Sequence, residues 1–163
     1  MNRRDFLKGA AATAAGLAAV RALAEEPRRN TMDKPILAAP CGLYCGVCGD
    51  YVNGECHGCG CRCGRCAGDH HARSCDIAKC AKSKGFQTCA QCEDLPCTRV
   101  IQFTCDPVWR THAPCIEDLR RQKRIGVQAW LKEQETYWSD EGNRKRRLAL
   151  HRECSERAKT FGR

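Results

Sequence analysis

Large apolar side chains are distributed unevenly along this chain. An alanine-built apolar run covers Gly9 to Val20, directly after Asn2-Arg3-Arg4-Asp5-Phe6-Leu7-Lys8. A mixed-charge, proline-containing stretch follows, with Ile36 and Leu37 expected to dock onto whatever comes next. From residue 41 to 97 large apolar residues are scarce. The exception is a short amphipathic pattern, with Ile77 and Ala81 on one face of a helix predicted over Asp76 to Lys84. Ser74 is the expected cap of that helix and Gly85 its stop. A second helix is predicted from Pro96, at its first position, to Phe103. Pro114 starts a third that carries Ile116 and Leu119, and Gly126 interrupts it. Val127, Trp130, Leu131, Gln134 and Trp138 then recur at helical spacing, a stripe expected to form core over the middle region. A last helix, Asp140 to Lys159, is mostly charged.

The middle region lacks the apolar residues to hold itself together by burial, and cysteine fills the gap. Thirteen of the 16 cysteines lie between Cys41 and Cys97. A cysteine content near a tenth marks a disulfide scaffold or a metal scaffold. It also inflates the hydrophobic fraction of 42%, so with aromatics at 6% and charged residues at 29% the true core must be small. The fold class this implies is a small, cysteine-rich, metal-bound fold, mainly α with irregular loops and little β.

The N-terminal 24 residues resemble a twin-arginine export signal. Arg3 and Arg4 are paired, Phe6 and Leu7 follow, Lys8 closes the motif, and Ala22-Leu23-Ala24 offers a small-x-small site for cleavage after Ala24. The apolar run is too short and alanine-rich to span a membrane. Such signals serve proteins that fold, often around a metal cofactor, before export. The resemblance therefore implies the twin-arginine machinery as a partner and a periplasmic or exported destination. The chain then divides into a signal (1–24), a linker (25–37), a cysteine-rich metal-binding domain with its C-terminal helix (38–138) and a basic helical tail (139–163).

Four C-x2-C pairs, Cys45/Cys48, Cys56/Cys59, Cys63/Cys66 and Cys89/Cys92, fall within 48 residues. Two intervening residues let a tight turn bring both sulfurs to one ion at roughly 2.3 Å. One pair is weak evidence; four together point to thiolate ligation. Cys41, Cys45 and Cys48 also show the C-x3-C-x2-C spacing of radical S-adenosylmethionine enzymes. Those place an aromatic residue before the last cysteine, where this chain has Val47, and need a large partial β/α barrel, for which the 115 residues that follow do not suffice. Cys61, Cys63 and Cys66, beside Arg62 and Arg65, form an insert read as either a looser second site or a disulfide. His57, His70 and His71 are potential substitute ligands, the last two expected in an exposed polar loop. Cys97, near a helix N-terminus, is read as a ligand.

The ordered string Cys41-Gly42-Leu43-Tyr44-Cys45-Gly46-x-Cys48, Cys56-x-Gly58-Cys59, Cys75-x-Ile77-x-x-Cys80 and Cys89-x-x-Cys92-x-x-x-Pro96-Cys97 resembles the cysteine-rich family known as domain of unknown function 3795. The segment Ile125 to Gln134 with Trp138 is similar to that family's C-terminal helix, so the likeness runs over about residues 38 to 138. It implies a metal-binding fold without a settled activity, with Cys41, Cys45, Cys48, Cys56, Cys59, Cys75, Cys80, Cys89, Cys92 and Cys97 as the metal ligands. Two features depart from the family. Ser139-Asp140-Glu141-Gly142 stands where a further C-x2-C is common, and Cys61 to Cys66 is added.

The metal is an iron–sulfur cluster or zinc. A cluster implies periplasmic redox or electron transfer with a protein partner; zinc implies a structural interaction module without redox activity. A third reading is a disulfide-stapled secreted protein. Cys154 is read as pairing with Cys105 or Cys115 after export, or as a free thiol. No nucleophile-and-base constellation stands out, and no enzymatic activity is assigned. The net charge of +9 has a positional meaning: residues 25–106 hold ten basic and ten acidic side chains, residues 107–163 fourteen and eight. The block Asn143-Arg144-Lys145-Arg146-Arg147 is read as a solvated helix face, with weak contact to an anionic membrane surface as the second reading. An exported protein does not routinely meet nucleic acid, so that class of partner is set aside.

Overall fold

The computed structural model describes residues 37–162 except 60, 62 and 65. The export signal, the cleavage site, the linker up to Ile36, and Arg62 and Arg65 lie outside the described residues. Among those described, seven α-helices and three short 3₁₀ turns carry the chain, with no strand; the sole β feature is an isolated antiparallel bridge between Ala38 and Tyr44. The mainly helical, loop-rich class expected from the pattern is the one observed.

After a 3₁₀ turn at Cys45–Val47 comes α1, Gly49–Val52. α2 spans Ala67–Ser74 and α3 Asp76–Ser83. A 3₁₀ turn at Cys89–Gln91 leads to α4, Thr98–Thr104, and another at Arg110–His112 to α5, Cys115–Ile125. α6, Val127–Ser139, and α7, Glu141–Thr160, complete the chain.

Helix ends follow local chemistry. Asp140 caps α7 by accepting from the Asn143 N–H at 2.7 Å. α5 carries Glu117 and Asp118 in its first turn and Lys123 and Arg124 in its last, complementing its dipole. It stops at Gly126, whose φ of 83° is a conformation glycine adopts without strain. One cap and one start differ from expectation. Ser74 does not cap α3; it ends α2 and bonds back to the His70 carbonyl at 2.9 Å, so Cys75 takes the cap position. α4 begins at Thr98 with Cys97 as its cap, so Pro96 lies outside the helix rather than at its first position. His70 and His71 belong to α2, because the loop expected there is wound into helix.

The core is small-sided. Ala39, Cys41, Cys45, Ile77, Ala90, Val100 and Leu119 form its buried cluster, with Leu37 packed at its edge as the docking expectation requires. Trp130 is fully buried beside it, Tyr44 meeting its ring edge-on at 6.2 Å and its Nε1–H donating to Asp118 at 3.2 Å. The rest of the α6 stripe is half-buried on the same face. Arg121 of α5 grips Glu133 of α6 through two hydrogen bonds, and Arg110 pairs with Glu153 of α7. Both pairs are exposed, so they orient the helices more than they stabilise them.

Because no other large aromatic ring among the described residues is fully buried, Trp130→Ala should be the most damaging truncation in the described helices. We expect a loss of about 3–5 kcal/mol, read as a lowered thermal midpoint at matched metal content. An unchanged midpoint would show that α6 contributes little to the core.

Candidate metal centre

The ten cysteines of the ordered string divide between two cavities. Cys80, Cys89, Cys92 and Cys97 line a small one of about 60 Å³, walled by Ala81, Phe86 and Leu95. Cys41, Cys45, Cys48, Cys56, Cys59 and Cys75 line a larger one of about 260 Å³.

The small cavity is assembled from local turns. Cys80 projects from the body of α3, Cys89 and Cys92 flank the 3₁₀ turn, and Cys97 caps α4. The Gln91 side chain clamps the turn by accepting from the Gln87 and Thr88 N–H groups at 2.6 and 3.3 Å. The Cys89 N–H donates to the Pro40 carbonyl at 2.9 Å, tying this turn to the Cys41 loop. Cations surround the sulfurs. Lys84 Nζ lies 3.6 Å from Cys92 Sγ and 3.5 Å from Asp94, and Arg99 Nη1 lies 4.0 Å from Cys80 Sγ. Burial, and then Cys41, Cys97, Cys80 and Cys92, push the Cys89 thiol up to about 12.

Around the larger cavity the C-x2-C pairs part company. Cys45 hydrogen-bonds to Cys59, which lowers the Cys45 pKa and, together with burial, raises that of Cys59. Cys41 is held well above the ordinary thiol range by its hydrogen bond with Cys115 and by burial. Burial also raises Cys48 and Cys56. The Cys56–Cys59 loop is pinned by α2: a Cβ on Gly68 would stand 2.0 Å from the Gly58 carbonyl oxygen and 2.9 Å from Cys56 Sγ, so only glycine permits this approach. The Gly58 N–H donates to Cys56 Sγ at 3.3 Å.

Among the described residues, two sets of donor atoms gather within 4.8 Å of one another and could hold a single metal ion. One is His57, Cys61, Cys63 and Cys66; the other is Cys48, Asp50 and His151. In the first, Cys61 Sγ lies 3.6 Å from His57 Nδ1 and accepts from the Cys63 N–H at 3.3 Å. The Cys66 thiol is pulled down to about 6, foremost by the backbone N–H of His57. The insert is thus drawn together around sulfur and imidazole, and no cysteine of the chain is in a disulfide. Cys154 and Cys115 are buried and Cys105 is exposed.

His57 was weighed from the sequence; Asp50 and His151 were not. His151 stands about a hundred positions from Cys48, and nothing in local spacing could have joined them. α7 does so, and it also turns Arg147 inward: Arg144, Lys145 and Arg146 are exposed, whereas Arg147 is half-buried and borders the larger cavity. The basic block is therefore not solvated throughout.

The family model for the TAT (twin-arginine translocation) pathway signal sequence matches residues 1–20. The chain carries an export signal, and the export machinery is its partner. Comparison with curated proteins and with solved structures gives no match. No helix of the described residues is long and apolar enough to cross a membrane.

His112 offers a pH test of this region. It stacks on Phe103 at 3.8 Å, and burial lowers its pKa from 6.5 to about 4. Above pH 6.5 the ring is neutral in both folded and unfolded chains. Between about 6.5 and 4 the unfolded chain binds the proton first, so stability should fall as pH drops through that window and level off below it. His112→Phe should flatten the dependence in equilibrium unfolding across that range.

Proposed function

We propose that this is an exported metalloprotein whose small cavity carries an iron–sulfur cluster on Cys80, Cys89, Cys92 and Cys97, used for electron transfer outside the cytoplasm. One observation supports the reading above others. The four thiols surround a cavity, yet they are not among the sets whose donors close to within 4.8 Å. A single tetrahedral ion with metal–sulfur bonds of about 2.3 Å draws its ligands to roughly 3.8 Å from one another. A cluster holds its cysteines further apart. Lys84 and Arg99 supply positive charge beside Cys92 and Cys80, as a site with four thiolates requires. When bound, the cluster would supply one-electron chemistry. The chain's own residues would fix its ligands, wall it with Phe86 and Leu95, and tune its potential through the two cations. The other six cysteines of the string, around the larger cavity, form a second thiolate-rich metal region in this reading. That agrees with what the likeness to domain of unknown function 3795 implies.

The twin-arginine signal fits the same picture, since that route serves proteins folded around a cofactor before export. A redox protein partner would meet the site where Lys84, Asp94 and Arg99 are exposed. Arg144, Lys145 and Arg146 are exposed and would be the cations to meet an acidic partner or an anionic membrane surface.

Anaerobically purified chain should contain iron and acid-labile sulfide and absorb visible light. Cys89→Ser and Cys92→Ser should each abolish most of that absorbance. Lys84→Gln should keep it while lowering the reduction potential, because removing a cation disfavours the added electron. Colourless protein with stoichiometric zinc would sink the proposal.

A second reading concerns zinc, and the insert favours it. His57, Cys61, Cys63 and Cys66 are already close enough for one tetrahedral ion with a Cys3His donor set. Zinc there would be structural. Cys63→Ser should lower the zinc content by one ion per chain and leave visible absorbance intact; equal zinc in parent and variant would refute it.

A further inference from the structure

We infer that Cys48, Asp50 and His151 form a separate, open site for one divalent first-row metal ion, which binds a small anion or water in the larger cavity. The inference stands independently of the cluster, because none of these three residues borders the small cavity; of the thiolate-rich region around the larger cavity it takes Cys48 alone.

Three observations converge on it. First, the donor atoms of the three lie within 4.8 Å of one another, and all three residues are half-buried. They come from opposite ends of the domain: Cys48 caps α1, Asp50 sits in its first turn, and His151 comes from α7. Second, the approach is built into the backbone. A Cβ on residue 49 would stand 2.6 Å from His151 Nδ1, so glycine between Cys48 and Asp50 is what admits the imidazole. Third, the set is incomplete on one side. All three residues line the cavity of about 260 Å³, and Arg147, one turn earlier on α7, lines it too. Among the described residues no carboxylate forms an ion pair with Arg147; near it lie the sulfurs of Cys115, Cys48 and Cys154 and the carboxylate of Asp118.

The donor chemistry names the ligand class. One thiolate, one carboxylate and one imidazole suit zinc and its neighbours in the first row rather than magnesium or calcium, which prefer oxygen alone. Three protein ligands with a fourth position facing a cavity is the arrangement of ion sites that exchange water for substrate, unlike closed structural sites. The thiolate and carboxylate neutralise the dication, so an added anion would leave one negative charge, which Arg147 is placed to offset.

The test uses cobalt(II) as the probe metal in the full chain. Asp50→Asn and His151→Gln should each lower the divalent metal content by one ion per chain and remove part of the cobalt absorbance. Iron, sulfide and the zinc dependent on Cys63 should not change. Added azide should alter the cobalt spectrum of the parent, and Arg147→Gln should raise the azide concentration required by about tenfold. Asp50→Asn is nearly isosteric, so a folding defect in the histidine variant does not remove the test. Full metal content in both ligand variants, or a cobalt spectrum indifferent to azide, would overturn the inference. Loss of iron and sulfide from the parent chain would bear on the cluster alone.

Discussion

Thiolates repel one another, and burial makes each of them costlier still. Cys41 is raised by its bond to Cys115 and by burial, Cys59 by its bond to Cys45 and by burial, and Cys89 by burial and four sulfur neighbours. Without a cation these thiols stay protonated and behave as small, weakly cohesive side chains. The buried apolar partners in their cluster are two alanines, one isoleucine, one valine and one leucine, with Leu37, Leu43, Leu95, Phe103 and Ile116 packed at its edge. The Cys41, Cys56 and Cys89 loops are tied mainly by short turns and isolated backbone bonds rather than by long helices or a sheet. With a cation present, the same crowding becomes a ligand shell, and metal affinity becomes folding free energy. The helices α5, α6 and α7 make the opposite contribution: they pack by conventional means around Trp130 and Leu119 and give the sulfur-rich half a fixed surface to fold against.

Helical periodicity and capping chemistry made much of that second half readable in advance. Gly126 separating α5 from α6, the stripe through Trp130, and a long charged helix from Asp140 are local features, and local physics decides them. α3 starts at Asp76 as the pattern predicts, but its cap is Cys75 rather than Ser74, and α4 starts at Thr98 rather than Pro96. At α3 the difference is local: Ser74 is taken into the last turn of α2, which leaves Cys75 to cap α3.

Sulfur grouping was less legible, for a different reason. A C-x2-C turn fixes how far apart two sulfurs can be, but not that they share a site. Cys45 turns to Cys59, while its sequence partner Cys48 faces Asp50 and His151. By contrast Cys89 and Cys92 border one cavity with Cys80 and Cys97, all within an eighteen-residue span that short turns can close. Sequence distance explains the contrast. Closing a short loop selects among few arrangements, whereas the partners of Cys48 depend on where a helix a hundred residues later comes to rest.

That helix also changes what a basic block means. Four consecutive cations on a helix cannot all face water when one face packs against the domain, and position decides which turns inward. Arg147 shares a face with His151, Cys154 and Ala158, of which the last two are buried. Burial lowers its pKa, and the groups around it that act the other way are the sulfurs of Cys115, Cys48 and Cys154 and the Asp118 carboxylate. A guanidinium held there has lost water and gained no single carboxylate partner, which is costly unless negative charge is supplied nearby. Thiolates bound to a metal at Cys48, and an anion in the cavity beside it, are two sources of that charge. With such a metal and anion bound, the half-buried Arg147 of α7 and the sulfur of Cys48 would act as parts of one electrostatic unit, each making the other's loss of water less costly.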